Sequence, residues 1–361
     1  MNDGLARPLR VTQIGNASKG PGGVASVVRM MNSWADQDLE VREWPTYWHG
    51  DRRRTLASFA RTAVRVAFGR VRPTDVWHFH LTQQGSFLRE GLLLWIAHRR
   101  GVWCTVLVHG SEFVEFVREH HRLAGLVLRW PAVVFVLTDS ASAVLERLGV
   151  SAVKVANAVL VEDERQPAPR SGFVFAGEVG LRKGADILLS AWADAQVAGH
   201  ELTIFGHLEP RFKLPTPLPD GVVVAGQVEP EEVLARLRTA VALVLPSRAE
   251  AMPMSILESM SLGTPVIGTD VGQVAEVVGD TGLVVRPADP RALRTAIRRV
   301  AESPDLARQL GRMARRRVQE RYSTDAVKHT FVGPWTACVA GRHPHGTAAS
   351  NPPDGTQGDL A

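Results

Sequence analysis

Short unbroken apolar runs alternate along this chain with longer stretches in which apolar residues recur at helical spacing. The first kind reads as strands buried on both faces, the second as amphipathic helices packed over them. Residues 9–14 are the first strand, and after a glycine-rich turn, Gly15 to Gly23, residues 24–34 are a helix. Residues 75–80, 102–108, 133–137 and 153–155 read as further strands. Residues 91–99, 114–129 and 141–148 read as the helices between them, the last capped by Thr138-Asp-Ser140. A polar stretch with Pro167 and Pro169, residues 162–171, reads as a linker. Strands at 173–175, 202–205, 222–225, around Val244-Leu245, at 265–267 and at 282–285 then restart the pattern. Helices at 185–195, 230–238 and 258–262 and a long basic one at 290–322 accompany them.

This alternation predicts an α/β protein with two doubly wound parallel-sheet domains, residues 1–165 and 166–330, whose carboxyl edges face each other across a cleft. Residues 331–342 read as a return segment toward the first domain. Residues 343–361, rich in Gly, Pro, His, Ser and Asn, read as a disordered tail.

Composition fits this picture: 45% hydrophobic and 22% charged residues over 361 positions make a globular balance with room for two cores. No apolar run reaches about 18 residues, and the first ten residues lack a signal-peptide core, so a cytoplasmic protein is expected. Cys104 and Cys338 suit a reducing compartment and suggest no metal cluster. The pI of about 9.7 invites an anionic partner. Yet only five of the 42 basic residues are lysines, an arginine bias that base composition alone produces, so local clusters carry more weight. The densest is residues 51–72, with seven arginines and no acid after Asp51. On a helix, Arg54, Arg61, Arg65 and Arg72 share one face, and Leu56, Phe59, Ala60, Ala63, Val66 and Ala67 the opposite one. Such a helix fits an anionic membrane surface, and equally a helix packed on the sheet with solvated arginines. Nucleic acid is not indicated, because the arginines are not interleaved with aromatics on a sheet platform.

The candidate chemistry centres on residues 244–267. Glu250 lies in a proline-broken loop after a buried strand, and Glu258 lies about a turn into the helix that follows. Ligands of open α/β sheets bind outside the carboxyl ends of strands, near helix N-termini. Carboxylates there accept from sugar or ribose hydroxyls, and free N–H groups suit phosphate oxygens. Of His78 and His80 in the third strand segment, His80 is nearer the carboxyl end and is a candidate for lining an acceptor site.

With Pro246-Ser247, Glu250, Glu258 and the downstream Gly263-Thr-Pro-Val-Ile-Gly-Thr-Asp-Val-Gly272, this stretch resembles the EX7E region of retaining GT-B glycosyltransferases of family 4. Phe175-Ala-Gly-Glu and Lys183-Gly184 resemble that family's phosphate-binding segment, and Gly22-Gly23, His109 and Asn157 match weaker positions. The resemblance spans roughly residues 10 to 330. It implies a hexose-type transfer from a UDP-, GDP- or ADP-linked sugar to a glycan or lipid-linked acceptor, with retention of configuration. It implies no cofactor and no metal site, and a location in the cytoplasm or on the inner membrane face. By the same resemblance Glu258 holds the donor ribose, Glu250 a sugar hydroxyl, and the N–H groups near Met254-Ser255 and Gly23 the diphosphate. Lys183 neutralises the leaving group, and His109 lies by the donor sugar. One departure stands out: the family's arginine after the glycine is Glu178 here. Arg182 is the expected substitute, paired to Glu178. Rival readings are another GT-B enzyme, such as an epimerase or phosphorylase, and a catalytically silent nucleotide-sugar-binding protein.

Overall fold

The computed structural model describes residues 8–162 and 169–341; most of the expected linker and the whole expected tail, residues 343–361, lie outside the described residues. The first sheet contains β1 (Leu9–Asn16), β2 (Leu39–Tyr47), β3 (Asp75–Leu81), β4 (Trp103–Val108), β5 (Val133–Val136) and β6 (Ala152–Lys154). Their order is β2-β1-β3-β4-β5-β6, and every neighbouring pair is parallel. The second contains β7 (Phe173–Ala176), β8 (Leu202–Phe205), β9 (Val222–Gly226), β10 (Ala242–Leu245), β11 (Val266–Thr269) and β12 (Leu283–Val285), ordered β12-β11-β10-β7-β8-β9 and again all parallel. Both are therefore doubly wound, as the alternation of runs predicts. The connections reverse direction between β1 and β3 in the first sheet and between β7 and β10 in the second. Those reversals open crevices at the carboxyl edges, where ligands of such sheets bind.

The helices of the first half are α1 (Gly23–Asn32), α2 (Arg52–Phe68), α3 (Gly85–Arg99), α4 (Phe113–Glu119), α5 (His121–Val127) and α6 (Asp139–Glu146). Those of the second are α7 (Ala185–Ala195), α8 (Pro230–Thr239), α9 (Met254–Ser261), α10 (Val274–Val278), α11 (Pro290–Ala301), α12 (Pro304–Arg321) and α13 (Thr324–Val339).

Several elements depart from the sequence reading. β2 was not expected, because Leu39-Glu-Val-Arg-Glu-Trp-Pro-Thr-Tyr47 carries Pro45 and alternates in polarity; both suit an edge strand, which β2 is. The expected helix 290–322 is two helices. Pro304 has no N–H to give the preceding turn, and the Ser303 hydroxyl accepts from Leu306 N at 3.4 Å to start a new one. The helix expected at 114–129 likewise breaks at His120. At the chain's end α13 packs on β3 and β4 of the first sheet. There Trp335 and Phe331 pack with tilted rings against Trp34, and Trp335 Nε1 donates to Thr105 Oγ1 at 3.2 Å.

Helix α2 departs most. Its buried residues are Ser58, Thr62 and Val66; of the wheel's apolar face only Val66 is fully buried, with Phe59 and Ala63 half-buried beside it. The hydroxyls are turned inward for a reason. Thr62 donates to Pro45 O, Thr55 to Trp48 O, and Ser58 accepts from Trp48 Nε1, so they satisfy the backbone and indole at the end of edge strand β2. The helix is rotated by roughly a quarter turn from the expected setting. Leu56, on the apolar face of the wheel, is 70% exposed.

Candidate active site

The loops after β7 and β10 lie side by side at the crevice of the second sheet. Gly184 holds them together: its φ is +73°, and a Cβ there would stand 2.0 Å from Pro246 O. That contact sets Lys183 beside the acidic loop. Lys183 Nζ donates to Glu250 Oε1 at 2.5 Å, and Ser247 Oγ donates to the same oxygen at 2.7 Å. Both side chains of the ion pair are largely buried. Glu250 Oε2 takes no partner among the described residues.

Two helix N-termini meet across the cleft. The N-cap of α1 is Gly22, whose φ of +93° suits glycine, and that of α9 is Pro253; neither makes a side-chain cap hydrogen bond. A Cβ on Gly23 would lie 3.9 Å from Met254 Cγ. The free N–H groups of both first turns therefore border one spot, which attracts an anion from two sides. Ser255 is the second residue of α9. One turn further on, Glu258 faces α1. Burial raises its pKa, offset in part by Arg29 and a hydrogen bond with Ser26.

Glu178 sits in the β7 loop, and the expected pairing is present: Arg182 Nη2 donates to Glu178 Oε2 at 2.9 Å. His207 Nε2 lies 3.3 Å from its other oxygen. Partial burial would raise the Glu178 pKa, but Arg182 and His207 outweigh it and hold the carboxyl below its ordinary value. Arg182 Nη1 also reaches Ser111 Oγ of the first domain at 3.5 Å.

Ser111 lies in the turn that begins with His109, at the carboxyl end of β4. His109 is buried, and burial lowers its pKa to about 3, so it is neutral. His80, expected to line an acceptor site, is buried behind it: His80 Nδ1 lies 2.9 Å from His109 Nε2, and His80 Nε2 lies 2.9 Å from Gln13 Oε1. The Gln13 amide donates to Asn32 Oδ1 at 2.7 Å and to Val28 O, and Asn32 Nδ2 donates to Glu43 Oε2 at 3.0 Å. Each link fixes the next. With its NH2 spent, Gln13 accepts from His80 Nε2–H, leaving His80 Nδ1 to accept from His109 Nε2–H. His109 Nδ1 is then the remaining lone pair, an acceptor. His78, two residues from His80, shares its strand face; the rings are 4.9 Å apart, and His78 Nδ1 binds Thr105.

Asn157 also crosses between the domains. Its Nδ2 donates to Met252 O at 2.9 Å, tying the end of β6 to the acidic loop. The sequence reading missed Gln13, Asn32 and Glu43. It also missed a cavity of about 520 Å³ beyond the carboxyl end of β2, lined by Tyr47, Trp48, Arg52, Phe59 and Arg89. Arg54 lies 3.6 Å over the Trp48 ring and Arg89 5.2 Å from the centre of Tyr47. Under it Glu90 is wholly buried and held by Thr46, Ser86 and Arg89.

Residues 170–303 match the family model for glycosyl transferases group 1. Over 317 residues the chain is 30% identical to the MMP alpha-(1->4)-mannosyltransferase of Mycolicibacterium hassiacum, a match covering 78% of this chain and 75% of that protein. It is 32% identical over 160 residues to the D-rhamnosyltransferase WbpZ of Pseudomonas aeruginosa, covering 42% of this chain and 41% of the relative. Among solved structures, sucrose-phosphate synthase from Thermosynechococcus elongatus superposes with a TM-score of 0.69 at 19% identity, over 92% of this chain and 99% of that one. Anabaena HepE in complex with UDP-glucose gives 0.69 at 14% identity, over 91% and 99%. Fold, matched residues and a relative matched over three quarters of its length agree: this chain belongs to the group 1 glycosyltransferases and has their GT-B fold.

Proposed function

We propose that the protein moves a hexose-type sugar from a nucleotide-sugar donor, with retention of anomeric configuration, to a glycan or lipid-linked acceptor in polysaccharide or glycolipid synthesis. The observation that carries this reading is the Lys183–Glu250 pair standing beside the opposed N-termini of α1 and α9. A departing nucleoside diphosphate gathers negative charge. Fixed N–H dipoles and a cation stabilise that charge most in the transition state. The N–H groups of Gly22-Gly23 and Met254-Ser255 take the diphosphate, and Lys183 neutralises it. Glu258 accepts from the ribose hydroxyls and Glu250 from a hydroxyl of the sugar. Arg182, tethered by Glu178, supplies the guanidinium that the family carries one position after Gly177. His109 Nδ1 accepts from a donor-sugar hydroxyl, because its other nitrogen is spent on His80. Neither a cofactor nor a metal has a role in this scheme.

A hexose donor is in keeping with a mannosyltransferase relative and with a structural neighbour solved with UDP-glucose. The cavity lined by Tyr47, Trp48, Arg52 and Arg89 is the acceptor side in this reading, its aromatic faces suited to a sugar ring and its arginines to a phosphate. Pairing with Arg182 also argues against a silent protein, since it removes the repulsion that Glu178 would otherwise present to a diphosphate.

The test is a thermal-shift panel of UDP-, GDP- and ADP-sugars on the full chain. A binder at about a hundred times its Kd adds about 2.7 kcal/mol of stability. One base is expected to stabilise strongly, and Glu258→Ala to abolish that shift. A flat response to every nucleotide sugar sinks the proposal.

A further inference from the structure

Helix α2 keeps Val66, Phe59 and Ala63 against the core but is turned so that other apolar residues face out. Its hydroxyls face the protein, while Leu56, Val64 and Phe68, spaced along one side, are 70%, 60% and 83% exposed. The neighbouring α3 repeats the pattern with Leu88, Leu92 and Trp95, all exposed, and α2 packs directly on α3. Isolated exposed apolar residues need no explanation; two adjacent helices exposing a row each do. Charge marks the occupant. At the carboxyl end of α2 a cavity of about 790 Å³ is lined by Arg10, Arg42, Arg65, Arg70 and Arg72, beside Val71 and next to Phe68. Arg10 is engaged by Asp75 and Arg42 by Glu40, but among the described residues no carboxylate pairs with Arg65, Arg70 or Arg72. Glu43, the carboxylate in the lining, is held by Ser18 N and Asn32.

We propose that the α2–α3 face docks on an anionic phospholipid bilayer, with Phe68 and Val64 entering the acyl boundary and Arg65, Arg70 and Arg72 taking a headgroup phosphate. Apolar insertion and phosphate capture adjoin, as a lipid's own two parts do. A protein partner with apolar surface would not call for a basket of unpaired arginines, and a free anion would not call for the apolar rows. The acceptor-side cavity opens at the other end of α2, where Leu56 lines it. A docked α2 therefore holds that cavity's mouth at the membrane surface, so the acceptor class is a lipid-borne one. This last step rests on the transfer reading; the docking does not.

Flotation of the full-length protein with vesicles tests it. Binding is expected to phosphatidylcholine vesicles containing phosphatidylglycerol, not to phosphatidylcholine alone, and is expected to weaken with salt. Val64→Ser with Phe68→Ser is expected to lower partitioning about tenfold or more. Arg70→Gln with Arg72→Gln is expected to lower it about fivefold per charge. In vesicle-free buffer all variants should keep the wild-type thermal shift with the nucleotide sugar, which also reports their folding. Absence of wild-type flotation on the anionic vesicles overturns the proposal, as does wild-type partitioning by both variants. Stabilisation by glycerophosphoglycerol without any flotation overturns it too, leaving a site for a free anion. Loss of the nucleotide shift with flotation intact would instead defeat the transfer reading alone.

Discussion

The two sheet crevices meet the same cleft with different chemistry. In the second domain the polar groups form ion pairs: Lys183 on Glu250 and Arg182 on Glu178. In the first they are neutral and buried or half-buried, a chain from Asn32 through Gln13 and His80 to His109. Charge suits the end of a donor that is itself anionic, and its attraction is strong where water is excluded. A neutral chain adds no such attraction. What it supplies is direction, since each donor and acceptor is decided by the one behind it and His109 is left with a single possible role. The same cleft thus separates strength from orientation, and substitutions on its two sides should fail differently.

The largest expected loss is on the charged side. Lys183→Ala removes the cation proposed to face the leaving group and leaves Glu250 without its partner. Transfer should fall by about a hundred- to a thousandfold, mainly in kcat, by analogy with removing one donor to a developing anion. Glu250→Gln should match it more closely than Glu258→Ala, whose loss should appear in the KM for the donor. Steady-state kinetics with each variant decides this. Equal kcat for Lys183→Ala and wild type would mean that the pair is only a structural strut.

On the neutral side His80→Phe leaves His109 Nε2–H without an acceptor and lets the ring turn. A buried unpaired donor costs about 1–3 kcal/mol of stability. Misorientation at a reacting centre costs about ten- to a hundredfold in rate. His80→Gln keeps one acceptor and one donor near the same places, and should recover much of the loss. Failure of glutamine to outperform phenylalanine would reduce the chain to packing. This contrast also explains what the sequence reveals. The charged side is legible because Lys183, Glu250 and Glu258 lie in two short segments with fixed spacing beside recognisable strands. Gln13, Asn32, Glu43, His80 and His109 sit on β1, α1, β2, β3 and the end of β4. Only the parallel pairing of those strands brings them together, and no spacing encodes it. The setting of helix α2 is hidden from the sequence for a related reason. A helical wheel ranks apolar faces, whereas the carbonyls and indole at the end of β2 demanded hydroxyls.

Acid should find the neutral side first. Burial lowers the pKa of His78 and His109 from 6.5 to about 3, and that of His80 well below 6.5. The unfolded chain takes up protons on these residues once pH falls below about 6.5, and the folded chain refuses them. Stability is therefore complete above about pH 7 and declines as pH drops toward 3. The slope approaches about 1.4 kcal/mol per pH unit for each histidine that stays neutral. Denaturant midpoints between pH 8 and pH 5 would measure this, the pH values chosen to bracket the ordinary histidine range of about 6.5. His80→Gln should flatten the curve.

The smallest effect is expected at Glu178, and its sign is the informative part. The Glu178–Arg182 pair is about one-third exposed on each side, unlike Lys183–Glu250, so solvent and salt screen it. Breaking it costs little stability. Glu178→Gln removes one negative charge near the expected diphosphate and frees Arg182, which already reaches across to Ser111. The KM for the nucleotide sugar should fall by about two- to fivefold at low salt, and the gain should shrink as salt is added. A rise in KM would instead mean that Glu178 serves by aiming Arg182 at the donor. In that case a one-third-exposed pair would act as the neutral side does, by direction, and the division between the two crevices would not hold.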